Sequence, residues 1–200
     1  MYKLSEYNKF DMFDIPLYEE VTWLPAFSRQ VVILVSPMAG SIAYNIAQEL
    51  VTNKPDVYQL PKVHCSSQAM CSDGKYTYMD RNVISIGLKN NKYLEYTENK
   101  DGVLFGTKYD AITDVVKSNK TCVKNVQDFN LKFLLTSEFM PYVIFITNEE
   151  SNKNDNDVSY IHLADHVMMY STVKDVTNDV LHHLQQISSQ KQWIPLSWLY

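Results

Sequence analysis

The chain has 200 residues, 46% of them hydrophobic and 20% charged, with a net charge of −5. That length suits one core with a small subdomain, and the apolar content argues against disorder. The acidic balance argues against a nucleic-acid partner or a general anionic-membrane surface. The opening "MYKLSEYNKFDMFD" lacks the basic and apolar regions of a signal peptide, and no apolar run reaches membrane-spanning length. The three cysteines, Cys65, Cys71 and Cys122, form no CxxC, which predicts reduced thiols. The expectation is a cytoplasmic protein with no membrane insertion, peripheral to a membrane only through partners.

Residues 1–28 are tyrosine-rich, and Pro16 and Pro25 forbid a long helix, so an extended arm or linker is predicted. The stretch "QVVILVS" is a continuous apolar, β-branched run. It suits a strand covered on both faces, as in a parallel sheet. Ile42, Ile46, Leu50 and Val51 then recur at helical spacing. The stretch 57–107 is rich in Tyr, Ser, Lys and Asn, with strand-like pieces "KYTYM" and "KYLEY". A small, mostly β insertion is predicted there. Beyond it come a helix near 108–118, a strand "TCVKNV", a helix "QDFNLKFLL" and a buried strand "PYVIFIT". The polar run "NEESNKNDND" predicts a solvated loop. "HVMMYST" reads as the last core strand, and Val173, Val176, Val180, Leu184 and Ile187 form a helical stripe. Strands alternating with helices predict an α/β fold with a parallel sheet flanked by helices.

Four separated stretches resemble the guanylate kinase fold, and more narrowly the guanylate-kinase-like domain of membrane-associated guanylate kinase homologues (MAGUK scaffolds), nearest the CASK branch. They are "YEEVTWLPAF", "NKYLEYTENKDGVLFGTKYDAITDVV", "LLTSEFMPYVIFI" and "QWIPLSWLY". The resemblance implies a P-loop-type parallel sheet with a β-rich GMP-binding-type insertion and a shortened lid. It divides the chain into an arm (1–28), a guanylate-kinase-like domain (29–190) and a terminal strand (191–200). In MAGUK scaffolds that strand folds back into an SH3 domain, and here Trp193, Pro195, Trp198 and Tyr200 match it. Either these aromatics pack on the domain's own core, or they form an apolar strand that takes an SH3 domain in cis or in trans.

Phosphoryl transfer needs cations beside phosphates. Laid on the family's loop, the glycine positions fall at Pro37, Gly40 and Ile42, the lysine at Ala43 and the Mg-holding hydroxyl at Tyr44. No Lys or Arg occurs between Arg29 and Lys54. On the GMP side the resemblance keeps His64 but puts Ser67 where an arginine reads phosphate. Asn125 stands for an aspartate and Leu135 for an arginine. Tyr76, Tyr78, Glu95, Tyr96, Gly106 and Thr107 remain as a remnant of the GMP cleft, or as a peptide-binding surface. The resemblance thus implies no catalytic residue, no metal and no cofactor, and argues against ATP and GMP binding. The expected function is a catalytically inactive protein-interaction module of a scaffold. The alternatives are a divergent nucleoside monophosphate kinase, or a degenerate fragment retaining residual GMP binding. His162 and His166 sit four apart, but one falls in or near a loop and the other begins a strand, and no cysteine has a matching spacing; they and the adjacent His182/His183 are expected to be hydrogen-bonded or surface histidines.

Overall fold

A computed structural model of the chain describes residues 2–4, 18–36, 41–72, 74–147, 161–169 and 173–200. Strands β1 (Tyr2–Leu4) and β2 (Tyr18–Leu24) open it, followed by β3 (Val31–Val35) and helix α1 (Ser41–Asn53). Strand β4 (Tyr58–Gln59) follows, and the insertion then holds β5 (Val63–Cys65), β6 (Tyr76–Tyr78), α2 (Arg81–Lys89), β7 (Tyr93–Glu98) and β8 (Leu104–Lys108). Then come α3 (Tyr109–Lys117), β9 (Thr121–Val126), α4 (Asp128–Leu131), β10 (Tyr142–Thr147), β11 (His166–Met169), α5 (Val173–Ile187) and β12 (Gln192–Pro195).

The central sheet has the order β11-β10-β3-β9-β4, with all four strand pairings parallel. Its apolar runs are continuous because both faces are covered. Val32 and Leu34 face α1 and α5, joining Ile46, Leu50, Val180 and Leu184. Val31, Ile33 and Val35 face the other side, joining Ile112, Val115, Leu134 and Phe145. The insertion forms a mixed sheet, β6-β5-β8-β7, with its own small core of Ile84, Tyr93 and Leu104. Tyr93 lies between two glycines. A Cβ on Gly87 would meet its ring at 2.6 Å, and one on Gly106 at 2.7 Å. Gly106, expected as part of the cleft, therefore also has a packing reason to lack a side chain.

Three expectations are revised. The insertion is built on a four-stranded sheet, as its β-rich sequence predicts, but it also holds a helix, α2, that the sequence reading did not place. Asp80 caps this helix by accepting from the Asn82 amide at 2.8 Å, and Ile84 is its buried contact. Secondly, "QDFNLKFLL" is helical only over Asp128–Leu131. Beyond it the chain uses i→i+3 bonds, Phe133 N to Asn130 O and Leu134 N to Leu131 O. Such turns bury Leu131 and Leu134 without a full helix. Thirdly, the terminal strand holds Trp193 and Pro195 but not Trp198 or Tyr200. Pro195, with no amide proton to donate, ends it, and a 3-10 turn covers Leu196–Trp198.

Part of the expected N-terminal arm is strand β2, which pairs antiparallel with β12 and with β1. Trp193 faces Trp23 in this register, with ring centroids 4.0 Å apart. Ile194 is fully buried, Trp23 is half exposed and Tyr200 stands in solvent.

A histidine cluster lies at the β11 edge. His166 and His183 stack at 3.9 Å, and with His182, Asp179 and Gln186 they line a cavity of about 370 Å³. Burial first, and then Asp165, push the Tyr142 phenol up to about 12 against the opposite pull of Arg29. It keeps its proton and is hydrogen-bonded to Nε2 of His183 at 2.8 Å. Burial lowers the His183 pKa, and the charges of His166 and His182 lower it further. His64 is lowered by burial and by Lys108. Both rings are thus held neutral in the folded chain and take up protons more readily when unfolded. Stability is full above the ordinary histidine value of 6.5 and falls as pH drops through it toward the lowered folded values. The melting temperature is expected to fall between about pH 7.5 and about pH 5.5. His183→Asn should flatten that fall, and an unchanged slope in the variant would refute this assignment.

Candidate functional site

The insertion and the central sheet face each other across the region that the resemblance assigns to nucleotide. Two side-chain bridges cross it. Lys124, from β9, forms an ion pair with Glu95 of β7, and its side chain is only 9% exposed. The Thr107 hydroxyl of β8 donates to the same carboxylate at 3.2 Å. Sheet register brings Thr107 there, because Glu95 stands opposite it across the β7–β8 ladder. A register shift between Tyr93 and Glu95 lets Tyr93 enter the insertion core. Glu95, expected as part of the GMP-cleft remnant, is thus already engaged with a buried ammonium group.

The second bridge joins α1 to the turn before β6. Lys75 lies 5.8 Å from the Tyr44 ring centroid and 5.5 Å from that of Tyr76. A hydrogen bond to Tyr44 is the largest cause that raises the Lys75 pKa. Tyr44, aligned with the Mg-holding hydroxyl, therefore contacts a lysine of the insertion. Ala43, aligned with the phosphate-binding lysine, is 1% exposed and packs into the core beside Ile46 and Ala47. Ile42 packs against the same cluster. Pro37 and Gly40 lie outside the described residues, as does the predicted loop at 148–157 with the shortened lid.

The remaining expected residues spread over the insertion. His64 Nδ1 lies 2.9 Å from the Tyr93 hydroxyl. Tyr76 meets Phe105 edge-on at 5.2 Å. Tyr78 and Tyr96 are exposed, and Ser67 follows the end of β5. Asn125 pairs with Leu34 in the central sheet. The structure therefore brings Glu95 and Thr107 together, and leaves Tyr78 and Tyr96 as separate surface rings.

Sequence reasoning missed Lys124 and Lys75. Lys124 carried a readable signal: a lysine inside the apolar strand "TCVKNV" of a sheet covered on both faces needs a carboxylate partner. Among the described residues, no group of three or more His, Cys, Asp or Glu is placed to hold a metal ion. Among the same residues no helix is long and apolar enough to cross a membrane.

A parallel sheet with this insertion and these flanking helices is the guanylate kinase fold. The guanylate kinase family profile matches residues 28–187, and the chain belongs to that family. Over its whole length the chain is 27% identical to protein PALS2 of Homo sapiens. It is 26% identical to MAGUK p55 subfamily member 2 of Rattus norvegicus. It spans less than half of these relatives, 43% and 42% of their lengths. Among solved structures it is similar to the guanylate kinase of Anaplasma phagocytophilum. There the TM-score is 0.54 at 16% identity, covering 84% of this chain and 89% of that one. It is also similar to the SH3-kinase fragment of tight junction protein 3. That TM-score is 0.50 at 12% identity, covering 90% of this chain and 66% of that one.

Proposed function

We propose that this chain is a non-catalytic guanylate-kinase-like module of the MAGUK type, and that its work is to bind proteins. One observation carries the reading. The buried Lys124–Glu95 ion pair occupies the region where a guanine-reading carboxylate would have to be available. The burial of Ala43 where the phosphate-binding lysine would stand points the same way. A nucleotide would have to break a buried ion pair and would find no P-loop lysine in exchange.

The proposed protein contacts are two. One is the β2–β12 ribbon with its stacked Trp23 and Trp193, joined by Tyr200, as the surface for an SH3 domain in cis or in trans. The matched relatives are longer proteins, one of them named a MAGUK p55 subfamily member, and one of the solved neighbours is named an SH3-kinase fragment. The other is the insertion sheet, with Tyr76 and the exposed Tyr78 on edge strand β6 and the exposed Tyr96 on the opposite edge strand β7, as a surface for a peptide, since such rings bury much area at small entropic cost. Peripheral attachment at a membrane or cell junction would then come through partners. Within the MAGUK group, the CASK-branch assignment rests on the residues of the two chain ends. The PALS2 and p55 relatives support only the broader group.

Calorimetric titration with GMP, then with Mg-ATP, and a coupled assay for ADP release test this reading. No binding heat and no turnover above the enzyme-free rate are expected. Turnover would overturn it in favour of a divergent kinase, with Lys124 as the cation to examine first. GMP binding without turnover would make Glu95 a ligand-regulated switch instead.

A further inference from the structure

Cys65 ends strand β5, and Cys71 ends the 3-10 turn Gln68–Cys71 that follows it. In the sequence they are six residues apart, with no redox motif. The fold turns both sulfurs onto one backbone carbonyl. Cys71 Sγ donates to Ser67 O at 3.3 Å, and Cys65 Sγ contacts the same oxygen at 3.6 Å. The Ser67 amide in turn donates to Cys65 Sγ at 3.4 Å. The two sulfurs can be no farther apart than those two contacts to the shared oxygen allow. Neither thiol is in a disulfide, Cys65 is buried and Cys71 is partly open to solvent. Between them Ser66 is tied to β8: Ser66 N donates to Leu104 O, and Ser66 Oγ accepts from the Leu104 amide, both at 2.9 Å. Residues 68–71 form the 3-10 turn beyond the end of β5, the part that would move as the sulfurs approach.

We propose that Cys65 and Cys71 are a peroxide-sensitive dithiol, a modification site that sets the shape of the turn carrying Ser67. The more open Cys71 reacts first. Its sulfur attacks hydrogen peroxide, the O–O bond breaks, and a sulfenic acid and a molecule of water form. Cys65 then attacks the Cys71 sulfur. The S–S bond forms, the S–O bond breaks, and the departing hydroxide takes the Cys65 proton to leave as a second water. Two electrons pass from the two thiols to the peroxide. Closing the bond removes both sulfur contacts to Ser67, so the turn at the insertion edge must rearrange while Ser66 stays fixed. Cys122 is the built-in control. It is buried in the central sheet, and burial pushes its thiol up to about 12, which leaves almost no thiolate to react. The inference stands apart from the proposed function, because it concerns the thiols whatever the module binds.

The test treats the folded full chain with hydrogen peroxide and follows thiol count, intact mass and linked peptides. Two of the three thiols should disappear with the loss of two hydrogens. The peptides of Cys65 and Cys71 should be joined, and dithiothreitol should reverse the change. Cys71→Ser should slow thiol loss at least about tenfold, and Cys122→Ser should leave it unchanged. The Ser67 amide resonance should shift on oxidation while that of Ser66 moves little. Accumulation of Cys71 as sulfinic acid with Cys65 still a thiol would overturn the proposal. Reaction of Cys65 only after denaturation, or bridges formed only between molecules, would do the same.

Discussion

Arg29→Ala is expected to lower the unfolding free energy by about 3–5 kcal/mol, the usual cost of leaving a buried ion-pair partner alone. The Arg29 side chain is 2% exposed and ties three elements together. Its Nε donates to Gln192 Oε1 at 2.9 Å, and Nη2 donates to Trp193 O at 2.9 Å, both on β12. Nη1 donates to Pro141 O at 2.6 Å, just before β10, and to the Asp165 carboxylate at 3.2 Å, just before β11. The guanidinium also lies over the Tyr142 ring, 5.2 Å from its centroid. Asp165 accepts from the Val143 amide at 2.8 Å, and Gln192 donates to Phe27 O at 2.6 Å and Ile187 O at 3.0 Å. Removing the guanidinium therefore frees a carboxylate, two carbonyls and an amide side chain together. Arg29→Lys keeps the charge but loses the planar fork, and should recover only part of the loss. Urea unfolding measures the free energy, and hydrogen exchange at the Ile194 amide reports whether β12 lets go first. A loss below about 1 kcal/mol would show that the network contributes no more than one ordinary hydrogen bond.

Glu95→Gln should destabilise by about 2–3 kcal/mol, and Lys124→Met by less, although each removes the same ion pair. The asymmetry follows from burial. The Lys124 side chain is 9% exposed, whereas that of Glu95 is 27% exposed. A stranded ammonium has little water to turn to, but a stranded Glu95 still has water and the Thr107 hydroxyl. The double variant Glu95→Gln/Lys124→Met removes both charges and should recover most of the loss, for a coupling energy of about 1–3 kcal/mol. Chemical denaturation of the four proteins closes the cycle. Simple additivity would mean that the pair contributes no stability, and would weaken the argument that it blocks a ligand. The cycle also bears on function, because Lys124→Met alone frees Glu95. If GMP binding appears only in that variant, the lysine is what keeps the cleft shut.

Much of the fold was legible in local pattern. The runs 31–35 and 142–147 are apolar at every turn of the pleat, which only a sheet covered on both faces permits. The stripe Val176, Val180 and Leu184 reads as one helix face, and all three are buried. Helix α2 escaped because only Ile84 and Leu88 mark its inward face, while the equally apolar Val83 and Ile86 are exposed and blur the period. Its one clear signal was Asp80 as a cap. Of the candidate site, the residues aligned with the P-loop could be read directly, because the lysine is absent from the chain itself.

What the sequence determined by itself was the parallel frame and the missing cation of its first loop. Both follow from residue type and short-range period, which are written along the chain. The tertiary structure alone decided the pairings across long separations: Arg29 with Asp165 and Gln192, Lys124 with Glu95, Tyr44 with Lys75, Trp23 with Trp193. A buried charge or a stacked ring requires a partner, but nothing in its own neighbourhood of sequence says which one. Sheet order and strand register make that choice, and they exist only once the chain has closed on itself.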